Sequence, residues 1–175
     1  AAGGLNGVVR VWEVATGRAS FDLEPGAPAP VRFIAFSPDG ERIATAVGQG
    51  TFRLWEAKTG KPISEPFPVE ASFADLVFSN DGRRILTAGT PGGRLLDGRT
   101  GELIGEPFGA GAVRSARFSA DGTRIVTASN SKGVIIWDAT TLQPLTETFA
   151  HPGVRTVKAE FSPDGRFVRS EVSTN

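Results

Sequence analysis

Short apolar runs, each bounded by polar turn residues, follow one another along the whole chain. The most continuous are residues 42–46, 84–88 and 124–128. A run ending on Phe precedes them, as in residues 31–36 and 113–118, and a β-type run ending on an acid follows. No segment holds a helical period over ten or more residues, so the pattern predicts an all-β chain.

The Phe that closes the first run always opens a Phe-Ser-x-Asp-Gly pentapeptide. The four copies are Phe36-Ser37-Pro38-Asp39-Gly40, Phe78-Ser79-Asn80-Asp81-Gly82, Phe118-Ser119-Ala120-Asp121-Gly122 and Phe161-Ser162-Pro163-Asp164-Gly165, spaced by 42, 40 and 43 residues. Asp-Gly predicts the hairpin turn between the first run, strand a, and the second, strand b. Strand c carries a second landmark, with Trp12, Trp55, Leu96 and Trp137 at 43, 41 and 41 residues. Thr16-Gly17, Thr59-Gly60, Thr100-Gly101 and Thr140-Thr141 then turn the chain into strand d, at residues 61–67, 102–108 and 143–149. Strand d holds Pro62, Pro66, Pro107 and Pro144. Proline donates nothing to a ladder, so strand d is expected at a sheet edge or in irregular form. A period near 40 residues marks a module that cannot bury its apolar face alone and must stack on a neighbour.

Four pentapeptides, the first three followed 18 or 19 residues later by a Trp-type position, resemble the WD-40 repeat family of β-propellers over essentially the whole chain. The stretch from Gly60 to Phe67 resembles bacterial members in particular. The resemblance implies four-stranded antiparallel blades and a non-catalytic scaffold for protein–protein interaction. It also implies structural roles for Trp12, Trp55, Trp137, His151, Phe36, Phe78, Phe118 and Phe161. The family often joins a His, a strand-b Ser or Thr, the strand-c Trp and a turn Asp in one buried hydrogen-bond network. Thr45, Thr87 and Thr127 fit the second place. The turn Asp is replaced by Asn6, Gln49, Thr90 and Ser131, and one Trp by Leu96. The repeats are therefore diverged, and apolar packing is expected to hold the blades.

The chain reads as one domain, residues 1–175. Strands c and d lie in 1–24, full blades in 31–67, 72–108 and 112–149, and strands a and b in 154–172. The two half-blades are complementary. Three resolutions follow: an eight-bladed ring in a homodimer, a segment of a longer propeller, or a four-bladed monomer. The homodimer is the leading expectation, because eight blades need a smaller change of wedge angle than four. Met is absent even from position 1, so the chain is read as a piece excised from something longer.

Composition narrows the chemistry. Lys plus Arg and Asp plus Glu each total 19, which gives no pointer to nucleic acid or an acidic membrane. No apolar run approaches the roughly 20 residues that span a bilayer, and no signal segment opens the chain. Cysteine is absent, which excludes disulfides and Cys-based zinc sites but leaves the compartment open; the cytoplasm is the expectation. The single His lacks His or Cys partners for a metal site, and no cofactor is expected. Asp39, Asp81, Asp121 and Asp164 recur in turns of different blades, where Asp bonds its own backbone.

Arg32, Arg114, Arg155 and Lys158, at the start of the a strands, are the candidate partner-binding set. The resemblance puts that end of strand a at the mouth of a central channel, with Asp75 at the matching place in the second full unit. Two alternatives to a scaffold stand: a fragment of a larger multidomain protein's propeller with no activity of its own, and a propeller hydrolase or lyase. An enzyme needs convergent His, carboxylate or metal groups that this composition hardly supplies.

Overall fold

The computed structural model describes residues 1–26, 28–48, 50–68, 73–109, 111–149 and 155–173, and their regular elements are all strands. Five antiparallel sheets succeed one another. The first holds β1 (Ala2–Gly3), β2 (Val9–Trp12) and β3 (Ala19–Leu23). The second holds β4 (Val31–Phe36), β5 (Arg42–Val47), β6 (Thr51–Glu56) and the short β7 (Phe67–Pro68). The third is a regular meander of β8 (Asp75–Phe78), β9 (Arg84–Ala88), β10 (Gly93–Asp97) and β11 (Leu103–Phe108). The fourth holds β12 (Val113–Phe118), β13 (Arg124–Ser129) and β14 (Gly133–Asp138), and the fifth β15 (Arg155–Phe161) and β16 (Val168–Ser173).

Two boundaries depart from the sequence reading. The chain does not open on strands c and d alone: β1 pairs Ala2 with Arg10 and Gly3 with Val9, as the end of a strand b. Strand d is a full strand in the first sheet, as β3, and in the third, as β11. In the second it shrinks to β7 and a bridge from Trp55 to Pro62, and in the fourth to bridges from Trp137 to Pro144 and Val134 to Phe149. The prolines supply the reason, since each removes a ladder donor.

Consecutive sheets stack through their inner strands: β1 on β4, β4 on β8, β8 and β9 on β12, and β12 and β13 on β15. In the second, third and fourth sheets strand b is buried on both faces, so adjacent residues serve opposite junctions. Ile43 packs with Val9, Val11 and Trp55, while Ala44 joins Phe52, Leu54, Leu76 and Ile85. Ile85 faces that same cluster, and Leu86 faces Val113, Ala116 and Ile125. Ile125 and Val126 divide between the last two junctions in the same way.

The pentapeptide builds one turn four times. The hydroxyls of Ser79, Ser119 and Ser162 each donate to the Asp two residues on, at 2.6 Å, and Ser37 donates likewise to Asp39. Each serine oxygen accepts from the backbone N–H five residues on, at 2.9–3.0 Å. The glycines hold φ between 67° and 72°, a region in which side-chain-bearing residues are strained.

The residue that begins strand b ties each sheet to the next. Arg42 Nη1 donates to the carbonyls of Gly82 (3.0 Å) and Gly98 (2.5 Å), and its guanidinium lies 6.0 Å from the centre of the Phe78 ring. Arg84 donates to Gly122 (2.6 Å) and Ala139 (2.9 Å) over Phe118, and Arg124 to Gly165 (3.0 Å) over Phe161. The fifth sheet has Phe167 at this place, 67% exposed, and Phe36, which no arginine covers, is 45% exposed. Two indoles also follow the repeat: Trp55 Nε1 donates to Thr45 Oγ1 at 2.9 Å and Trp137 Nε1 to Thr127 Oγ1 at 2.8 Å. Trp12 is 41% exposed, because Ala2 stands across from Arg10 where Thr45 stands across from Arg53.

Hydrogen bonds to a charged group are worth about 1.5–3 kcal/mol. Arg84→Ala is therefore expected to lower the unfolding free energy by about 2–3 kcal/mol in urea titration. A loss below about 0.5 kcal/mol, the usual range for surface substitutions, contradicts the tie.

Candidate binding site

A β-bulge falls at one place in three inner strands. The register of β4 on β5 slips between Val31 and Phe33, that of β12 on β13 between Val113 and Ser115, and that of β15 on β16 between Thr156 and Lys158. The extra residues are Arg32, Arg114 and Val157, and Ala74 holds the same repeat position before β8. A bulge re-aims its side chain out of the strict alternation of the strand. All four of these residues line one cavity of about 730 Å³, with Phe33, Phe73, Asn130, Arg155 and Ser173 among the other wall residues.

The structure thus brings Arg32, Arg114 and Arg155 together and leaves Lys158 apart. Lys158 lies 3.4 Å from Glu160 and 3.9 Å from Glu171, and Arg169 pairs with the same two acids at 2.6 and 3.7 Å. By register the partner of Arg32 in the third sheet is Ala74, not Asp75. Asp75 is held instead in an ion pair with Arg117. All three cavity arginines are exposed. With its amide turned to accept, Asn130 receives Nε and Nη2 of Arg114 at 3.1 Å each. Among the described residues the side chains of Arg32 and Arg155 have no hydrogen-bond or ion-pair partner. No acid belongs to the described cavity wall.

Of the other sequence candidates, Trp12 and Phe36 are exposed. Trp55 and Trp137 are buried, and Phe78, Phe118 and Phe161 lie partly buried against core clusters. His151 lies outside the described residues. A second recess of about 810 Å³ on the far side of the sheets mixes Glu41 and Glu56 with Lys58, Lys61 and Arg42, and its Arg42 is already committed to the next sheet. No three of His, Cys, Asp and Glu converge on a cation position among the described residues.

The turn carboxylates are not poised for proton transfer. The Ser37 hydroxyl, the Glu41 amide and the Arg42 guanidinium hold Asp39 down at about 2, from an ordinary 3.8. Asp121 is likewise lowered to about 2, first by the Ser119 hydroxyl and then by the Thr123 amide. Asp81 and Asp164 are lowered by the same serine and backbone donors. Sequence reasoning missed the bulges and the junction arginines. The signal for the latter was present, as Arg recurs six residues after Phe36, Phe78 and Phe118.

Residues 21–56 and 101–138 match the family described as WD domain, G-beta repeat. Each matched unit runs from strand d of one sheet through strand c of the next, offset by one strand from the sheets themselves. Coronin-7 of Homo sapiens is 32% identical over 83 residues, which is 46% of this chain and 9% of that protein. Periodic tryptophan protein 2 homolog of Schizosaccharomyces pombe is 29% identical over 82 residues, covering 47% and 10% respectively. Eukaryotic translation initiation factor 3 subunit I of Scheffersomyces stipitis is 39% identical over 61 residues, covering 32% and 17%. The chain thus spans a tenth of the length, or less, of the first two relatives. These relatives are fungal and mammalian and lend no support to a bacterial cast.

Because the folded-state values of Asp39 and Asp121 lie below the unfolded value, their contribution to stability is full above about pH 4 and is lost as pH falls toward about 2. The double variant Asp39→Asn, Asp121→Asn is expected to flatten the decline of the urea midpoint between about pH 5 and pH 2. An unchanged slope assigns acid sensitivity to other groups.

Proposed function

From the two stretches that match the WD domain, G-beta repeat family, we propose a non-catalytic β-propeller scaffold for protein–protein interaction. The observation that carries this reading is the cavity at the inner strands. The fold uses its junction arginines to bind backbone, yet it spends no partner on Arg32 or Arg155 among the described residues. Rigid stacked sheets that hold out unspent polar groups suit recognition of another chain. The same reading holds whether the 175 residues act alone or within the propeller of a larger multidomain protein.

Closure of the ring by a second copy is the further possibility raised by the complementary edges, and two features weigh against it. In β5, β9 and β13 the residues facing the following sheet are Ala44 and Ala46, Leu86 and Ala88, and Val126 and Ala128. The matching residues of β16 are Arg169 and Glu171, in ion pairs with Lys158 and Glu160. Closure sets these charges against the apolar side of β4. The other feature is β1, which fills part of the place on β2 that β16 would need, and β1 is fixed by the Val31 N–H donating to the Gly4 carbonyl at 3.2 Å.

Light scattering is expected to return the mass of one chain; twice that mass restores the shared ring. A peptide array probed with labelled protein is expected to select a saturable subset of sequences. Selection of none, or turnover of ester, phosphate or glycoside substrates, overturns the scaffold.

A further inference from the structure

We propose that the cavity lined by Arg32, Arg114 and Arg155 binds a carboxylate-rich segment of a partner polypeptide, with an apolar side chain of that segment seated against Phe33 and Phe73. The inference rests on the scaffold reading and adds the chemistry of what is held.

Other arginines here have found acceptors: Arg10 pairs with Asp22 at 2.7 Å, Arg117 with Asp75, Arg169 with Glu160, and Arg42, Arg84 and Arg124 with backbone carbonyls. Arg18, Arg83 and Arg99, like Arg32 and Arg155, have no side-chain hydrogen-bond or ion-pair partner among the described residues, and what sets the cavity apart is that its cations line one recess. Its three guanidiniums come from three sheets, two have no partner among the described residues, and the third meets only the neutral Asn130 amide. The nearest acid along β8, Asp75, is already neutralised by Arg117. Like charges gathered round one recess raise its potential and favour an anion, and each guanidinium offers a planar fork that fits a carboxylate.

The wall decides which anion. Its size, about 730 Å³, falls within the roughly 300–1,000 Å³ typical of ligand pockets. Phe33 and Phe73 are half-buried and pack against the core between the second and third sheets, so each leaves part of an apolar ring to the cavity. Bases need open aromatic faces, and a nucleic-acid backbone needs a basic track. Here the track is interrupted, because Glu160 and Glu171 stand on the strand pair that supplies Arg155. A peptide that alternates carboxylates with an aliphatic side chain meets both the cations and the apolar rings.

Fluorescence anisotropy tests this on the full chain with three labelled probes: a short peptide with Glu on both sides of a Leu, its Gln counterpart, and a single-stranded oligonucleotide. The Glu peptide is expected to bind saturably and to weaken as salt rises. Arg32→Glu, Arg114→Glu and Arg155→Glu should each weaken it about tenfold or more, the size expected of an interface arginine. Lys58→Glu, in an exposed turn away from the cavity, should leave it unchanged. Urea midpoints check folding, and Arg→Gln replacements serve for any reversal that unfolds the chain. Equal binding of the Gln peptide, indifference to the arginine changes, or preference for the oligonucleotide overturns the proposal. If the array selects peptides whose binding ignores all three arginines, the scaffold stands and this site falls. If it selects none, both fall.

Discussion

Neighbouring residues of β5, β9 and β13 are handed to opposite neighbours, and this two-sided burial is the constraint from which the architecture follows. Ile43 and Ala44 belong to different junctions although they are adjacent, and so do Ile85 and Leu86. A strand in that position cannot expose either face without leaving an apolar row in water, at about 1.5–3 kcal/mol for each large side chain. A single sheet is therefore not a stable unit, and stability accrues junction by junction. The guanidiniums of Arg42, Arg84 and Arg124 fix the angle at which successive sheets meet, because each must reach a turn carbonyl of the next sheet and lie over its Phe ring at once.

The fifth sheet abandons each part of that scheme together. Phe167 replaces the junction arginine, and Arg169 and Glu171 replace the small apolar residues of strand b. Arg166, at the repeat place of Glu41, Arg83 and Thr123, lies over the Phe167 ring of its own sheet at 5.8 Å. Exposed pairs such as Arg169 with Glu160 add little stability. Their effect is to make a face that water can solvate.

Most of this was legible in the sequence because the repeat is written in turn chemistry. Asp-Gly after Phe-Ser specifies the a–b hairpin whatever surrounds it, and the strands predicted on either side lie within a residue or two of those observed. Strand d was legible only as a warning: Pro62, Pro66 and Pro144 announced an irregular edge without saying how little ladder remains. The opening β1 was missed because Ala2 and Gly3 have no strand preference of their own; their pairing is imposed by β2 and by Val31, whose side chain a Cβ on Gly3 would strike at 2.4 Å. The exposure of Trp12 follows from the same substitution of context for pattern. Its sequence place matches Trp55, but the threonine that would hold its indole is absent.

The candidate site shows what periodicity can and cannot carry. Repeat position put Arg32 and Arg114 together correctly, since both occupy the bulge, whereas Lys158 is one residue past it. A single step along a strand reverses the side chain's direction. That step separates a cation aimed into the cavity from one spent on Glu160 and Glu171. The bulge is invisible to hydropathy, because it adds a residue without changing the apolar count. It is also what frees the position from packing. In β4 and β12 the bulged residue falls outside the strict alternation that assigns its neighbours to a junction. Arg32, Ala74, Arg114 and Val157 can therefore differ from sheet to sheet without disturbing the stack.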